Sequence, residues 1–143
     1  MVKMYTDGAC LGNPGPGGWG VLLMLEGNER ELSGNEEQTT NNRMELTAVI
    51  KGLGVLKRST KITVYTDSQY VKNGITVWIN KWRKQNWLKS DKKPVKNKDL
   101  WLELEAVVAL HTVEWQWVKA HSGVVENERV DQLAYNAAKA INA

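Results

Sequence analysis

The sequence predicts an α/β domain built around one five-stranded mixed sheet. A strand-like run with alternating faces begins at Val2 and ends at Asp7. The same tripeptide, Tyr-Thr-Asp, closes a second run at residues 61–67. A helix-like segment lies between the two runs, which allows the strands to be parallel neighbours. Asp7 and Asp67 would then emerge at one edge of the sheet, where open α/β sheets bind ligands, and a cation would relieve their mutual repulsion.

Two further strands are expected directly after the first. Residues 11–18 consist largely of glycine and proline, which predicts an irregular loop without helix or strand. Residues 19–25 are mostly apolar, and residues 29–32 follow after a turn that contains Gly27. Three antiparallel strands therefore precede the first helix.

The first helix is predicted from Asn42 onward. Its apolar residues recur at helical spacing, at positions Leu46, Val49, Ile50, Leu53 and Leu56. Asn42 stands three residues before Glu45, as an N-cap residue stands before its capping-box partner. On local sequence alone Glu45 has two interpretations, a capping residue or a metal ligand, and capping is the commoner role of a glutamate in a first helical turn.

A basic, tryptophan-rich segment follows the second Tyr-Thr-Asp strand. A helix is predicted over residues 69–88, with a bend near Gly74. Trp78 and Trp82 share a face of this helix, a spacing more often found in a core. Residues 81–98 carry eight basic side chains and one acidic one, a net charge of +7, whereas the rest of the chain sums to −4. Tryptophan among so many cations favours a nucleic-acid surface, with a solvated loop as the alternative.

The last part of the chain predicts a helix, the fifth strand and a final helix. An amphipathic helix begins near Trp101, and residues 112–118 alternate as a strand does. A glycine after His121 indicates an exposed histidine in a loop. The final helix should bury Val130, Leu133, Ala137 and Ile141, beside a stripe formed by Asn127, Asp131, Ala134 and Ala138. The alanines would let that stripe lie close to the sheet, although a helix-surface position is the commoner one for an aspartate such as Asp131.

Composition limits the remaining possibilities. A chain of 143 residues with 42% hydrophobic residues fits a single domain, residues 1–143, with one core. The sequence has neither an apolar run long enough to span a bilayer nor the pattern of a signal peptide. Cys10 is the only cysteine, so no internal disulfide forms, and we interpret it as a packing residue. We expect a monomeric cytoplasmic protein without membrane contact.

These elements, taken in order, resemble type 1 ribonuclease H in its bacterial ribonuclease HI form over nearly the whole chain. The resemblance depends on several motifs rather than on one. They are Tyr5-Thr6-Asp7-Gly8 with the glycine-rich segment 12–18, Thr39-Thr40-Asn41-Asn42-Arg43-Met44-Glu45, Thr66-Asp67-Ser68-Gln69-Tyr70, His121-Ser122-Gly123, and Glu126-Asn127-Glu128-Arg129 with Asp131. Each motif alone is a weak signal, whereas all of them in this order are specific.

The resemblance implies a ribonuclease H-like fold, with helices on both faces of the sheet, and an endonuclease that hydrolyses the RNA strand of RNA-DNA hybrids. It implies two Mg²⁺ ions in the presence of substrate, for which Mn²⁺ can substitute, and products with 5'-phosphate and 3'-hydroxyl ends. Asp7, Glu45, Asp67 and Asp131 match the family's four metal-binding carboxylates. His121 matches a mobile histidine that assists proton handling or product release.

The resemblance also assigns substrate contacts. Residues matching those that approach the RNA strand and its 2'-hydroxyl groups are Gly8, Cys10, Asn13 and Gln69. Thr40 and Asn41 resemble the pocket for a DNA phosphate. The channel beneath the DNA strand is matched by Asn42, Trp78, Trp82 and Trp101, and residues 81–98 resemble a basic protrusion in which we single out Lys84, Lys92 and Lys93.

Two rival functions are distinguishable in the sequence. A catalytically silent hybrid-binding module would keep the basic and aromatic surface but lose a carboxylate, and all four carboxylates are present. An integrase-like or resolvase nuclease would share the strand-borne acids without the residues that contact 2'-hydroxyl groups. The chain departs from many bacterial relatives at Val124-Val125, where those relatives carry His-Pro, and loss of proline should loosen the backbone next to His121.

Overall fold

A computed structural model describes residues 2–119 and 123–141 and contains the predicted five-stranded mixed sheet. The strand order is β3-β2-β1-β4-β5. Strands β1 to β3 pair antiparallel, while β4 is parallel to both β1 and β5. The strands are β1 Val2–Cys10, β2 Gly15–Leu25, β3 Asn28–Thr39, β4 Lys61–Thr66 and β5 Thr112–Trp117.

Helices cover both faces of this sheet, as expected. The helical segments are α1 Asn41–Gly54, α2 Gln69–Asn73, a π-helical turn Gly74–Trp78, α3 Ile79–Lys84, α4 Lys98–Val108 and α5 Val125–Ala140. Helices α1 and α4 pack with one face of the sheet in the larger hydrophobic core. Helix α5 packs on the opposite face in a smaller cluster that includes Tyr5, Leu22 and Val130. None of these helices is long and apolar enough to cross a membrane.

The main core explains why the apolar positions of α1 and α4 follow a helical period. Met4 and Val64 extend from the sheet, Leu46 and Leu53 from α1, and all four are fully buried. Trp101 and Leu104 of α4 complete this layer and have no exposed surface. Removal of these side chains from water is the main favourable term that holds α1 against the sheet and so fixes its first turn.

Helix α5 lies unusually close to β2. A Cβ atom at Gly20 would lie 2.7 Å from the carbonyl oxygen of Val130, so only glycine fits there. The buried residues of α5 are Asn127, Val130, Ala134 and Ala138. The predicted close stripe is therefore largely correct. Of the predicted inward face, Val130 is buried and Leu133 packs against the smaller cluster while partly exposed, whereas Ala137 and Ile141 are only half-buried. Ala134 and Ala138 lie against the sheet because the close approach of their backbone to Gly18 leaves room only for small side chains.

Several sequence-based boundaries were wrong. The third strand, predicted over residues 29–32, runs from Asn28 to Thr39 because it pairs along the whole length of β2. The loop predicted over residues 11–18 ends early, because β2 begins at Gly15 and Gly17 pairs with Cys10 of β1 and with Glu36 of β3. Pairing on both sides overrides the low strand propensity of glycine. The helix predicted over residues 69–88 ends at Lys84. At the predicted bend the helix widens into the π-helical turn, where Gly74 leaves space for the indole of Trp101.

Candidate active site

The parallel pairing of β1 with β4 brings the two Tyr-Thr-Asp segments together. Their register runs from Val2 opposite Ile62 to Tyr5 opposite Tyr65. Asp67 comes directly after β4, as predicted. Asp7 follows two residues after Tyr5, but the prediction that the first strand ends there was wrong, because pairing with β2 extends β1 to Cys10. Both aspartates thus stand at one edge of the sheet, as the sequence predicts.

Glu45 reaches the same edge from α1. Its Oε1 atom accepts a hydrogen bond of 2.9 Å from the backbone N–H of Gly8. The capping-box interpretation was wrong, because Thr40 is the N-cap and its hydroxyl accepts from the N–H of Arg43 at 3.2 Å. Helix α1 therefore begins one residue earlier than predicted, at Asn41, and the Glu45 side chain is free to face the aspartates.

The carboxylates form a compact cluster. Asp7, Glu45 and Asp67 each offer an oxygen atom such that these atoms all lie within 4.8 Å of one another. Asp131 of α5 lines the same cleft and contributes to the raised pKa of Asp7. Among the residues that the structure describes, the buried Oε2 atom of Glu45 has no hydrogen-bond partner. A buried acceptor without a donor is costly, so this oxygen is suited to a cation.

The cluster also changes the acidity of its members. Burial raises the pKa of Asp7 to about 7; hydrogen bonding to Glu45 opposes this rise and the charge of Asp67 adds to it. Burial likewise raises the pKa of Glu45 well above its usual range, and the charge of Asp7 raises it further. Negative charge is therefore disfavoured here unless positive charge is supplied. Hard oxygen donors of this kind fit a divalent cation such as Mg²⁺ or Mn²⁺.

A cleft of about 510 Å³ surrounds the cluster. It is lined by five of the residues predicted to contact substrate, namely Gly8, Cys10, Asn41, Asn42 and Gln69. Asn13 lies beside them, because its Oδ1 atom accepts from the N–H of Asn41 at 3.1 Å. The structure thus brings the residues assigned to the RNA strand next to the carboxylates.

A second cleft, of about 380 Å³, lies on the basic and aromatic segment. Its lining includes Trp78, Lys81, Trp82 and Lys89. The rings of Trp78 and Trp82 are half-buried, and their centroids are 5.8 Å apart. Each indole keeps accessible surface beside a lysine, so this cleft offers both stacking area and positive charge.

Trp101 does not contribute to that surface, contrary to the resemblance. Its side chain is fully buried, and its Nε1–H donates to the hydroxyl of Tyr70 at 3.0 Å. Its ring lies 5.3 Å from that of Trp82. Trp101 therefore packs beneath the half-buried Trp82 and does not itself reach a bound strand.

The sequence-based site omitted Tyr70 and Asn97. Tyr70 lines the acidic cleft, and its ring lies 5.7 Å from that of Trp78, so it joins the two clefts. Asn97 donates to the Tyr70 hydroxyl at 3.0 Å and accepts from Arg43 at 3.2 Å. Tyr70 directly follows Gln69 in a motif already singled out, which was the available signal; for Asn97 the sequence offered none.

The predicted basic protrusion contains only short regular elements. Lys84 ends α3, and all three singled-out lysines, Lys84, Lys92 and Lys93, are exposed. Val95 is buried and its N–H donates to the carbonyl oxygen of Trp87 at 3.0 Å, which fixes the segment to the aromatic cluster. His121 lies outside the described residues.

Comparison with known proteins gives consistent results. The family model of RNase H matches residues 1–139. The chain is 62% identical to a ribonuclease H of Hydrogenovibrio crunogenus, covering 95% of this chain and 94% of that protein. It is 59% identical to ribonuclease HI of Neisseria meningitidis serogroup B, covering 96% and 94%.

Solved structures are similar as well. LC9-RNase H1, a type 1 RNase H with the type 2 active-site motif, aligns with a TM-score of 0.86 at 36% identity, covering 97% of this chain and 72% of that one. LC11-RNase H1 in complex with RNA/DNA hybrid aligns with a TM-score of 0.77 over the whole of both chains. Its identity of 24% supports the fold alone.

Proposed function

The chain belongs to the ribonuclease H family, and we propose that it is an endonuclease that hydrolyses the RNA strand of RNA-DNA hybrids to leave 5'-phosphate and 3'-hydroxyl ends. The observation that carries this proposal is the cluster of Asp7, Glu45 and Asp67, whose ligand atoms lie within 4.8 Å of one another beside residues suited to RNA. We propose that the protein acts as a monomer.

The proposed metal ligands are the four carboxylates of the cleft: Asp7, Glu45, Asp67 and Asp131. The buried Glu45 oxygen, which has no partner in the described part of the chain, and the raised pKa of Asp7 both favour a bound cation. We propose two Mg²⁺ ions with substrate bound, with Mn²⁺ as a substitute. Such ions supply a water nucleophile at neutral pH and stabilise the charge that develops on the phosphate.

Residues of the cleft position the RNA strand in this proposal. The backbone at Gly8 approaches the first turn of α1 closely, since a Cβ atom there would lie 2.5 Å from the Glu45 nitrogen. The lining of the cleft at this point is therefore backbone without a side chain, beside Cys10, Asn13 and Gln69. Asn and Gln side chains both donate and accept hydrogen bonds, so they suit the 2'-hydroxyl group that distinguishes RNA from DNA.

The DNA strand is assigned to the second cleft and the N-terminus of α1. Thr40 and Asn41 stand where backbone N–H groups at a helix start favour an anion, and we assign them a DNA phosphate. Asn42, Trp78 and Trp82 then extend along the strand, while Lys84, Lys92 and Lys93 of the protrusion approach its phosphates. Tyr70 connects the two strand paths, and its hydroxyl is fixed by Asn97 and Trp101.

The experiment that tests this function compares substrates that differ only in sugar. End-labelled RNA-DNA hybrid, double-stranded RNA and double-stranded DNA of one sequence are incubated with the protein in Mg²⁺, in Mn²⁺ and in EDTA. We expect cleavage of the RNA strand of the hybrid alone, and only with a divalent ion. Binding of the hybrid without cleavage would indicate a silent hybrid-binding module, and cleavage of double-stranded DNA would indicate an integrase-like nuclease.

A further inference from the structure

Two tyrosines, each standing two residues before one of the strand-borne aspartates, form a stacked pair. Tyr5 and Tyr65 stand opposite each other on β1 and β4, with ring centroids 4.4 Å apart and an angle of 9° between the ring planes. Each lies two residues before an aspartate, Asp7 or Asp67. Because side chains alternate along a strand, the tyrosines and the aspartates share a face of the sheet.

This pair stands where the hydrogen-bonded ladder between the strands ends. In the described chain the last registered pair of β1 with β4 is Tyr5 with Tyr65. Beyond it, β1 continues beside β2 as far as Cys10, while β4 ends at Thr66. The registered pairing of β1 with β4 thus stops two residues before the aspartates, and the stacked rings join the two strands at the point where it stops.

The stack also contacts the helix that carries the fourth carboxylate. Tyr5 is only 7% exposed and lies in the smaller hydrophobic cluster with Leu22 and Val130. Val130 directly precedes Asp131 in α5. Tyr65 packs against the same cluster but is half-buried, so its ring can be removed without opening the main core.

We propose that Tyr5 and Tyr65 are a positioning pair that holds Asp7 and Asp67 at the separation needed to share a divalent ion. The inference depends on the metal site proposed above. In the metal-free protein the two carboxylates repel each other, and this repulsion acts where β1 and β4 are no longer paired with each other, although β1 stays paired with β2. The stacked rings oppose that separation, so part of their contact energy becomes affinity for the metal.

The test measures Mn²⁺ binding by calorimetry without substrate, so that it does not depend on cleavage. Tyr65→Ala removes the stack, and Tyr65→Phe keeps it. An aromatic pair contributes enough to change a dissociation constant between about twofold and tenfold. We expect Tyr65→Ala to bind Mn²⁺ more weakly by a factor in that range, and Tyr65→Phe to bind as the parent does.

Trp115→Ala is the matched control. Trp115 stacks on Trp117 with ring centroids 5.6 Å apart, and it packs against the main core on the other face of the sheet. Its loss should lower the urea midpoint while the Mn²⁺ affinity stays at the parent value. This separates a positioning role from general loss of stability.

The outcomes distinguish this inference from the proposed function. If the parent binds no Mn²⁺, the proposed metal site itself is wrong. If the parent binds and Tyr65→Ala binds equally well, the positioning role is overturned while the metal site remains. Equal weakening in Tyr65→Ala and Trp115→Ala also overturns it, because the effect then follows stability and not the stack.

Discussion

Replacement of Asp7 by Asn tests the carboxylate cluster most directly, since Asp7 lies in one cluster with Glu45 and Asp67 and shares its cleft with Asp131. We expect Asp7→Asn to lose nearly all hydrolysis, because an amide cannot supply the negative charge that close divalent ions require. In EDTA, however, we expect the variant to be more stable than the parent. The neutral amide has nearly the same shape but lacks the charge that burial and Asp67 disfavour.

The size of the stability gain expected for Asp7→Asn, and its dependence on pH, follow from the raised pKa of Asp7. A rise of the Asp7 pKa from 3.8 to about 7 is roughly three units at about 1.4 kcal/mol each, which gives an upper limit of about 4 kcal/mol. The folded protein holds the proton more tightly than the unfolded chain. The contribution of protonated Asp7 to stability is therefore fully present below about pH 3.8 and is lost as the pH rises through about 7. The advantage of the variant should be large at pH 8 and small at pH 4.

Urea melts in EDTA at pH 4 and pH 8 measure the difference in stability between the variant and the parent. A hybrid-cleavage assay in Mg²⁺ measures the loss of activity. Asp99→Asn is the control, because Asp99 is exposed and its hydrogen bond with Arg43 lowers its pKa. That replacement should give no stabilisation at pH 8. If Asp7 only capped a turn, its replacement would destabilise the fold by about 0.5–2 kcal/mol. A destabilised Asp7→Asn protein that still cleaves would refute the metal-site assignment.

Three other predictions address the protrusion, the histidine and the α5 contact. Joint replacement of Lys84, Lys92 and Lys93 by Gln should weaken hybrid binding and reduce the slope of log affinity against log salt by up to about three, with little change in the single-turnover rate at saturation; an unchanged slope would indicate a solvated loop. His121→Ala should cleave at a reduced but measurable rate, because the metal ions and not the imidazole would activate the water nucleophile. Complete loss of cleavage with the fold intact would make His121 a principal catalyst. Gly20→Ala should destabilise the protein by about 1–3 kcal/mol in urea melts, because the added Cβ meets the α5 backbone, whereas the control Gly54→Ala has open space and should not.

The sequence predicted the sheet well because its strongest signals are local. Alternation and the repeated Tyr-Thr-Asp ending identified β1 and β4, and the helical period identified α1. The boundary of β2 failed because long-range pairing with β1 and β3 extended the strand back to residues 15–18. The start of α1 was a local error, because Thr40 and not Asn42 is its N-cap.

The candidate site likewise divides into features that local sequence patterns predict and features that depend on contacts between distant residues. Resemblance identified the carboxylates, and alternation along β1 and β4 placed two of them at one edge of the sheet. Neither could show that Trp101 is buried, because an indole beside a basic segment fits both a core and a surface. The Tyr70 and Asn97 contacts join residues far apart in the chain, so no local pattern indicates them.

The outer strand β3 has a consequence for how the protein behaves in concentrated solution. It has twelve residues and lies at the edge of the sheet, so one side of its backbone has N–H and C=O groups available to a strand from another molecule. Its exposed side chains include Glu36 and Glu37, whereas Glu29 and Glu31 form ion pairs with Arg129 of α5. Two copies approaching edge to edge would bring Glu36 and Glu37 of both chains together, and their repulsion opposes intermolecular strand addition and aggregation at neutral pH.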